Sequence, residues 1–384
     1  MSRADQIRTV DDARRLAGRR LPRFLFDAID RGTSPERTLR DNIAAFEQLE
    51  FRPRAAVAVP TVDTSVSVLG HRIDVPVMIA PTGNLRVYNS AGEPEVARAA
   101  GSRNTIHIVS CFSGYAIEDV TAAASGPVFF GLLFAGGRDN AEVMIERAAK
   151  AGCAALVITV DWGAAHQRER NVKDRLDRPV GFDLRSMLRF GPAVLQRPRW
   201  AADFLTGGRR MDCPMWMIDG RPATIWEMSS SILKAAPTWS DLKWIREMWT
   251  GPIVLKGILR VDDAQRAADE GVDGIVVSNH GARNVDGSPA TMRILPEIAD
   301  AVGDAVEVYL DSGVRRGADV VKALARGARA CLIGRSYVWG FAAAGGNGVA
   351  RVLDLYKSDV HNTLVSLGCA SVDELDPTCV VARL

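Results

Sequence analysis

Apolar runs rich in β-branched residues alternate along the chain with segments in which apolar residues recur every three or four positions. Continuous apolar runs predict strands buried on both faces, and the spaced pattern predicts amphipathic helices. The predicted strands span 75–80, 105–110, 128–134, 155–160, 253–256, 274–278, 306–311 and 330–334. The clearest helical patterns between them span 93–100, 141–151, 261–270 and 317–325. Eight strand–helix units over about 250 residues predict an α/β fold, a closed (β/α)8 TIM barrel.

The first part of the chain falls outside this repeat. Residues 1–70 predict an N-terminal helical extension packed on the barrel, with two or three short helices and an extended piece. One helix should open at Leu21 and Pro22. The next should open at Ser34, with that serine as the N-cap and Pro35 in the first helical position.

A second segment interrupts the barrel, which we expect to occupy residues 71–384. Residues 171–237 follow the fourth predicted strand and show no clean period, so they predict a long loop. Loops of this length in a compact domain are usually functional or mobile. The segment is therefore either a lid over the active site or an insert with no role in it.

Composition excludes several classes of protein. The chain has 384 residues, 47% of them hydrophobic and 24% charged, with a net charge of +2 and no long basic run. We therefore expect no nucleic-acid partner. Its apolar stretches fall short of the roughly 18 residues that a membrane span needs, and the charged N-terminus lacks the apolar core of a signal peptide. The cysteines show no CxxC or zinc-like spacing, which favours free thiols, no metal site and a cytoplasmic location.

The barrel prediction selects candidate site residues, because barrel enzymes place their chemistry at the C-terminal ends of the strands. These ends carry an imidazole, an ammonium, carboxylates and guanidinium groups. The residues are Pro81, Thr82, Gly83, Ser110, Thr159, Asp161, Lys256, His280, Arg283, Asp311, Gly334 and Arg335.

The most informative stretch is the turn from Ser278 to Gly287, in which His280 and Arg283 directly follow an apolar strand. An imidazole titrates near neutral pH, which suits a general base, and Asp161 could orient it and balance its charge. The alternative is a histidine with a purely structural role.

Two further cations lie at or just after strand ends. Lys256 closes an apolar strand, where burial is costly unless a partner uses its charge. It could stabilise an anionic cofactor ring, form a Schiff base or extend to solvent. Arg168 follows the fourth strand and could bind a substrate carboxylate or carbonyl, or simply be solvated.

The loops after the last two strands combine small residues with arginines, at Asp311–Gly317 and Ile333–Ser336. Barrels commonly bind phosphate at this pair of loops through backbone N–H groups. The alternative is a pair of tight turns with surface arginines.

These motifs together resemble a known family. The turn from Ser278 to Gly287 resembles the signature of the FMN-dependent 2-hydroxy-acid oxidases and dehydrogenases. The match continues, in the same order, through 79–82, 159–161, 255–257, 311–317 and 333–335. It spans nearly the whole chain, from Leu21 to Val372.

The resemblance implies a barrel that binds FMN. The flavin ring would be lined by Pro81, Thr82, Gly83, Ser110, Thr159, Lys256 and Ser278. The ribityl chain and phosphate would be held by Asp311, Ser312, Gly313, Arg315, Gly334 and Arg335. His280, Asp161 and Lys256 would be catalytic, with Lys256 favouring the anionic reduced flavin, and Arg283 and Arg168 would bind the substrate. The family commonly forms tetramers, so we expect a homotetramer.

The chain departs from the family pattern on the substrate side. Ala28 and Leu133 stand where the family has tyrosines that bind the substrate carboxylate, and Gly131 replaces a glutamine that binds the flavin. Each lost hydrogen bond to a charged group is worth roughly 1.5–3 kcal/mol. We therefore expect a small hydroxy acid to bind poorly, and a larger, less acidic compound to fit beside Ala28 and Leu133.

One branch of this family, the mycofactocin-cluster branch, oxidatively deaminates a peptide-derived amino-lactam. The chain resembles this branch at residues 197–200, 237–239, 259–263 and 367–372. The resemblance implies oxidation of a bulky α-hydroxy or α-amino carbonyl compound, a peptide-derived or natural-product intermediate, with hydride transfer to flavin and His280 as the base. One alternative is an ordinary (S)-2-hydroxy-acid oxidase or dehydrogenase of the lactate or glycolate type. Another is a non-catalytic flavin-binding partner in a pathway.

Overall fold

The computed structural model describes residues 2–162, 184–208, 211–232 and 236–383. The strands are β1 Leu49–Phe51, β2 Val66–Val68, β3 His71–Ile73, β4 Val77–Ile79, β5 His107–Ser110, β6 Val128–Leu132, β7 Ala155–Thr159, β8 Asp212–Ile218, β9 Arg221–Thr224, β10 Ile253–Ile258, β11 Gly274–Val277, β12 Glu307–Leu310, β13 Ala330–Ile333 and β14 Val380–Ala382. The helices are α1 Val10–Arg20, α2 Arg23–Asp30, α3 Arg37–Glu47, α4 Gly92–Gly101, α5 Ile117–Ala123, α6 Arg138–Lys150, α7 Leu184–Leu195, α8 Pro198–Asp203, α9 Ile225–Ile232, α10 Asp241–Met248, α11 Val261–Asp269, α12 Thr291–Val302, α13 Gly317–Leu324 and α14 Arg335–Leu367.

The core of the molecule is a closed parallel barrel, as the sequence predicts. Its strands follow one another in the order β10, β11, β12, β13, β4, β5, β6 and β7, and β7 pairs with β10 to close the ring. Each of these strands overlaps one of the predicted apolar runs. Strand β7 is typical, because all five of its residues are buried. Apolar residues on both faces suit a strand that faces the barrel interior on one side and the surrounding helices on the other.

The N-terminal extension lies against the barrel through α1, α2 and α3. The predicted start of α3 is wrong, because the helix begins at Arg37 and Ser34 does not cap it. Instead the Asp286 carboxylate accepts hydrogen bonds from the backbone N–H groups of Arg37 and Thr38, at 3.1 and 2.9 Å. A carboxylate at a helix N-terminus satisfies free N–H groups and complements the helix dipole. The cap therefore comes from the predicted catalytic turn rather than from the local sequence.

The described part of the segment after β7 is more regular than the loop that the sequence predicts. It contains α7, α8, a π-helical turn at Phe204–Gly208, the β8–β9 hairpin and α9. Trp200 Nε1 donates to the Val87 carbonyl at 2.8 Å, and Arg20 Nη2 lies 2.9 Å from Asp203 Oδ2. The first contact holds α8 against the loop that follows β4, and the second holds it against α1. The action of residues 171–237 as a lid stays a prediction.

Of the helices in the described ranges, none combines the length and the apolar character that crossing a membrane requires.

Candidate active site

The ends of β7 and β10 bring Asp161 and Lys256 to the same mouth of the barrel. Lys256 pairs with Thr159 across these strands, and the pairing of β10 with β11 is irregular at the next residue, Gly257. Gly257 has a φ of +117°, and a Cβ there would lie 2.5 Å from the Asp161 Cβ atom. Such a contact is too short for real atoms, so only glycine allows Asp161 to lie directly against β10.

His280 and Asp161 form a hydrogen-bonded pair. The distance between His280 Nδ1 and Asp161 Oδ1 is 3.0 Å, and the side chains are 21% and 10% exposed. An ionised carboxylate only accepts hydrogen bonds, so the shared hydrogen then lies on Nδ1 and Nε2 is left as an acceptor. Asn284 Nδ2 donates to the Asp161 backbone carbonyl at 2.8 Å and fixes the carboxylate's position. The structure therefore places His280 and Asp161 within hydrogen-bond distance, as the pairing predicted from the sequence requires.

The backbone that presents His280 is left-handed at three consecutive residues, with φ values of 57°, 64° and 62° at His280, Gly281 and Ala282. Residues other than glycine adopt this conformation at an energetic cost and keep it only where the surroundings impose it. Gly281 N donates to Ser312 Oγ at 2.9 Å, and the Ala282 carbonyl accepts from Thr33 N at 2.8 Å. The loop after β12 and the N-terminal extension thus both hold the turn.

A buried pair of amides ties the same turn to α3. Asn42 and Asn279 exchange two hydrogen bonds between their side chains, at 2.9 and 2.7 Å, and Asn279 Nδ2 also donates to the Pro289 carbonyl at 3.0 Å. Both asparagines are buried. Sequence reasoning missed Asn42, because it lies 237 positions from its partner. The one available signal was a polar residue among the apolar positions of α3.

Lys256 is buried. The alternative that its side chain extends to solvent is therefore wrong. Its Nζ lies 2.8 Å from Asp311 Oδ2 and donates to Ser278 Oγ at 2.9 Å. Burial alone would lower the pKa of Lys256, but the negative charges of Asp311 and Asp161 outweigh it and raise the pKa. A protonated amine is not a nucleophile, which argues against a Schiff base. Two of its three donors are used, and the third is available to a ligand.

Asp311 is the other half of this ion pair. Burial would raise the pKa of its carboxyl group, but the Lys256 ammonium outweighs burial and holds the pKa below its usual range. Ser312 Oγ donates to Asp311 Oδ1 at 2.7 Å. Asp311 thus faces Lys256, and its predicted contact with the ribityl chain stays a prediction.

The loops after β12 and β13 fit a phosphate group. Arg315 lies over the Trp339 ring at 5.3 Å, burial lowers its pKa, and no carboxylate of the described residues is within ion-pair distance. A Cβ added at Gly334 would meet no described atom within 4 Å, and α14 begins at the next residue. An open helix N-terminus beside a guanidinium that lacks a carboxylate suits an anion. These residues fit the phosphate of FMN.

Gly313 and Arg335 contribute to this region through backbone geometry more than through free side-chain donors. A Cβ at Gly313 would lie 2.2 Å from the Asn42 carbonyl oxygen, so glycine is required for the close approach to α3. The Arg335 guanidinium donates to the carbonyls of Ile29, Arg31 and Gly281, at 3.0, 3.0 and 2.8 Å. We expect the backbone N–H of Arg335, at the start of α14, to donate a hydrogen bond to a phosphate.

The residues predicted to line the flavin lie at the ends of β4 and its neighbours. Pro81, Thr82 and Gly83 follow β4 and are partly buried, while Ser110 and Thr159 end β5 and β7 and are buried. A Cβ at Gly83 would lie 2.4 Å from the Phe112 Cβ atom. The loop after β5 therefore packs tightly against the predicted flavin loop.

Gly131 also lies in this wall. A Cβ added there would lie 2.9 Å from the Pro81 Cβ atom and 3.2 Å from the Val109 carbonyl oxygen. Any larger residue requires Pro81 to shift. Gly131, which stands where the family pattern has a glutamine, therefore packs closely against the predicted flavin loop.

Of the predicted substrate residues, Ala28 and Arg283 are in contact with each other. Arg283 Nη1 donates to the Ala28 carbonyl at 3.0 Å, and burial lowers the pKa of Arg283. Ala28 and Leu133 are both partly buried, and the Leu133 N–H contacts Cys111 Sγ at 3.3 Å. Neither side chain can donate a hydrogen bond. Arg168 lies outside the described residues.

Comparison with known proteins agrees with this architecture. The family model for the FMN-dependent dehydrogenases matches residues 17–382. The chain is 42% identical to pre-mycofactocin synthase of Mycobacterium tuberculosis, over 97% of this chain and 94% of that protein. It is 37% identical to a peroxisomal (S)-2-hydroxyacid oxidase of Arabidopsis thaliana, over 97% and 95%. The structure of the monotopic membrane protein (S)-mandelate dehydrogenase superposes with a TM-score of 0.91 at 32% identity, covering 97% of this chain and 99% of that one. The chain therefore belongs to the FMN-dependent dehydrogenases and is an FMN-dependent oxidoreductase of the hydroxy-acid oxidase and dehydrogenase family.

Proposed function

We propose that the enzyme oxidises a bulky α-hydroxy or α-amino carbonyl compound, a peptide-derived or natural-product intermediate. The observation that carries the proposal is a contrast within one site. The His280–Asp161 pair and Arg283 are in place, but Ala28 and Leu133 stand where the family resemblance leads one to expect phenols. The groups that do chemistry are retained, and the groups that hold a small carboxylate are absent.

Each retained residue has a distinct task. His280 Nε2 takes the proton from the substrate hydroxyl or amine, and Asp161, 3.0 Å from Nδ1, balances the charge that the imidazole gains. Arg283 spends one donor on the Ala28 carbonyl and offers the others to the substrate carbonyl oxygen. FMN, when bound, would supply the acceptor for a hydride from the substrate α-carbon. Lys256 places a protonated ammonium at the wall that we assign to the flavin.

The cofactor assignments belong to the same proposal. We assign the flavin ring to Pro81, Thr82, Gly83, Ser110, Thr159, Lys256 and Ser278, and the ribityl chain and phosphate to Asp311, Ser312, Gly313, Arg315, Gly334 and Arg335. The support is the open helix N-terminus at Gly334 and the absence of an ion-pair partner for Arg315 among the described residues. Arg168 is assigned to the substrate on the family resemblance alone.

The size of the substrate follows from what the site has lost. Two phenols that would each contribute roughly 1.5–3 kcal/mol to carboxylate binding are absent. The 42% identity to pre-mycofactocin synthase, against 37% to the plant hydroxyacid oxidase, favours a peptide-derived amine over a small hydroxy acid. The second candidate is an ordinary (S)-2-hydroxy-acid oxidase or dehydrogenase, which the plant relative supports.

Anaerobic mixing separates these readings. FMN-loaded enzyme would be mixed with L-lactate, (S)-mandelate and a peptide-derived amino-lactam, and flavin absorbance near the visible maximum followed over time. We expect bleaching by the amino-lactam or mandelate and little by lactate. Rapid bleaching by lactate would refute the bulky-substrate proposal and favour the ordinary hydroxy-acid enzyme. Absence of bleaching by a wide panel, with FMN bound, would favour the non-catalytic flavin-binding partner.

We further propose a cytoplasmic homotetramer. All six cysteines are buried and free, as suits a reducing compartment, and tetramers are common in the family that the chain resembles. Light scattering of the FMN-loaded protein measures the assembly directly, and a monomeric mass would contradict the tetramer.

A further inference from the structure

One aromatic side chain packs on the imidazole that we assign as the base. Trp162 directly follows Asp161, and its ring lies 4.7 Å from the His280 ring, centroid to centroid, with the planes tilted by 58°. Tilted aromatic pairs at this separation are attractive beyond the area that they bury. The indole is partly buried and packs against the apolar core of the barrel.

The hydrogen bond from His280 to Asp161 cannot by itself fix the imidazole. One bond at 3.0 Å restrains Nδ1, but a coupled rotation about χ1 and χ2 can still tilt the plane of the ring. That rotation swings Nε2, on the far side of the ring, away from the reacting atom. A second contact with the ring restricts this tilt, and Trp162 supplies one.

Trp162 can do this because its own backbone is held. Asn284 Nδ2 binds the carbonyl of Asp161, the residue immediately before it, at 2.8 Å, and Asn284 belongs to the same turn as His280. Gly257 lets the Asp161 side chain lie flat against β10. Asp161 and Trp162 are consecutive residues on this restrained backbone. The carboxylate binds Nδ1 of His280, and the indole packs against the same imidazole ring.

We infer that Trp162 is a positioning residue, which restrains the plane of the His280 ring and shields part of that ring from water. The inference rests on the proposed function, since it concerns the residue assigned there as the base. The indole also accounts for part of the burial of the imidazole, whose side chain is 21% accessible with Trp162 in place. Removing the indole allows the His280 ring to tilt and exposes it to water. The residues assigned above to FMN and to the substrate are unchanged.

The test compares three variants of the FMN-loaded enzyme: Trp162→Ala, Trp162→Phe and Trp239→Ala. Trp239 is a matched control, because it is also partly buried, lies under the Arg266 guanidinium at 4.7 Å and is none of the residues assigned above to FMN, substrate or base. Stopped-flow reduction by the best substrate of the panel gives a limiting rate constant and a substrate Kd. A misplacement of about 1 Å can cost about a hundredfold in rate, so we expect Trp162→Ala to slow the limiting step between about tenfold and a hundredfold. The Kd should change by less than about threefold, and Trp162→Phe should restore most of the rate.

A second readout needs no turnover. Diethyl pyrocarbonate acylates exposed imidazole nitrogen, and peptide mass spectrometry reports the reaction at His280 separately from the other histidines. We expect acylation of His280 to be severalfold faster in Trp162→Ala and unchanged in Trp239→Ala.

Three results overturn the inference: a wild-type limiting rate constant in Trp162→Ala, a loss confined to the substrate Kd, or an unchanged acylation rate. A His280→Gln enzyme tells this failure from that of the proposed function. If His280→Gln reduces its flavin at the wild-type rate, the proposed function falls. If it is slow while Trp162→Ala is fast, only the role of Trp162 falls.

Discussion

Gly257→Ala tests whether the position of Asp161 matters to catalysis. The added Cβ would lie 2.5 Å from the Asp161 Cβ atom and 2.6 Å from Cγ, about 1 Å inside ordinary van der Waals contact. The backbone φ of +117° adds strain. Left-handed strain and overpacking each cost about 1–3 kcal/mol, so the free energy of unfolding should fall by about 2–6 kcal/mol. Asp161 must move by about the same 1 Å, and displacements of that size cost about a hundredfold in rate.

Gly271→Ala is the control that separates backbone strain from displacement of Asp161. Gly271 also has a positive φ, +74°, but nothing lies within 4 Å of a Cβ there. That variant should lose about 1–2 kcal/mol of stability and no catalytic rate. Urea unfolding measures the stability of each protein, and anaerobic stopped-flow measures flavin reduction at a temperature where both are folded. If Gly257→Ala reduces its flavin as fast as Gly271→Ala, the contact between β10 and Asp161 has no catalytic consequence and the reasoning is refuted.

The remaining predictions concern the buried polar contacts. Lys256→Met leaves the Asp311 carboxylate buried without its partner, so we expect urea unfolding to show a loss of about 3–5 kcal/mol. Because Lys256 lowers the pKa of Asp311, that group contributes stability above its unfolded pKa, near 3.8, and the contribution is lost as pH falls through the lower folded pKa. The stability gap between wild type and Asp311→Asn should therefore be constant at neutral pH and shrink in acid; a gap that widens in acid contradicts the assignment. Asn42→Ala leaves the buried Asn279 amide without its two hydrogen bonds to Asn42. The free energy of unfolding should fall by about 1–3 kcal/mol and flavin reduction should slow. An unchanged rate would show that the turn keeps its shape without this contact to α3.

The barrel and much of its mouth could be predicted because they depend on short-range pattern. A strand buried on both faces must be apolar over most of its length, and β7 and β10 are apolar up to Thr159 and Lys256, near their C-terminal ends. The rule that barrel chemistry lies at the C-terminal strand ends then selects Lys256 and His280 from position alone. The structure places both at that mouth, with Lys256 on Asp311 and His280 on Asp161.

The contacts that shape the site are of another kind. Asp286 caps α3 from far along the chain, and it overrides the local signal at Ser34. The need for glycine at position 257 depends on where Asp161 lies, and the role of Trp162 depends on the plane of an imidazole on another strand. Each is a property of two segments that meet only in the folded barrel, and neither segment alone carries a signal for it.

We predict that His280 removes the proton as the substrate is oxidised. The most direct measurement is single-turnover flavin reduction in FMN-loaded His280→Gln, with the substrate that bleaches the wild-type enzyme fastest. A general base typically contributes between about a hundredfold and ten-thousandfold, so we predict a loss in that range with FMN still bound and the substrate Kd little changed. Reduction within about tenfold of the wild-type rate lies below the contribution of a general base and would contradict the account.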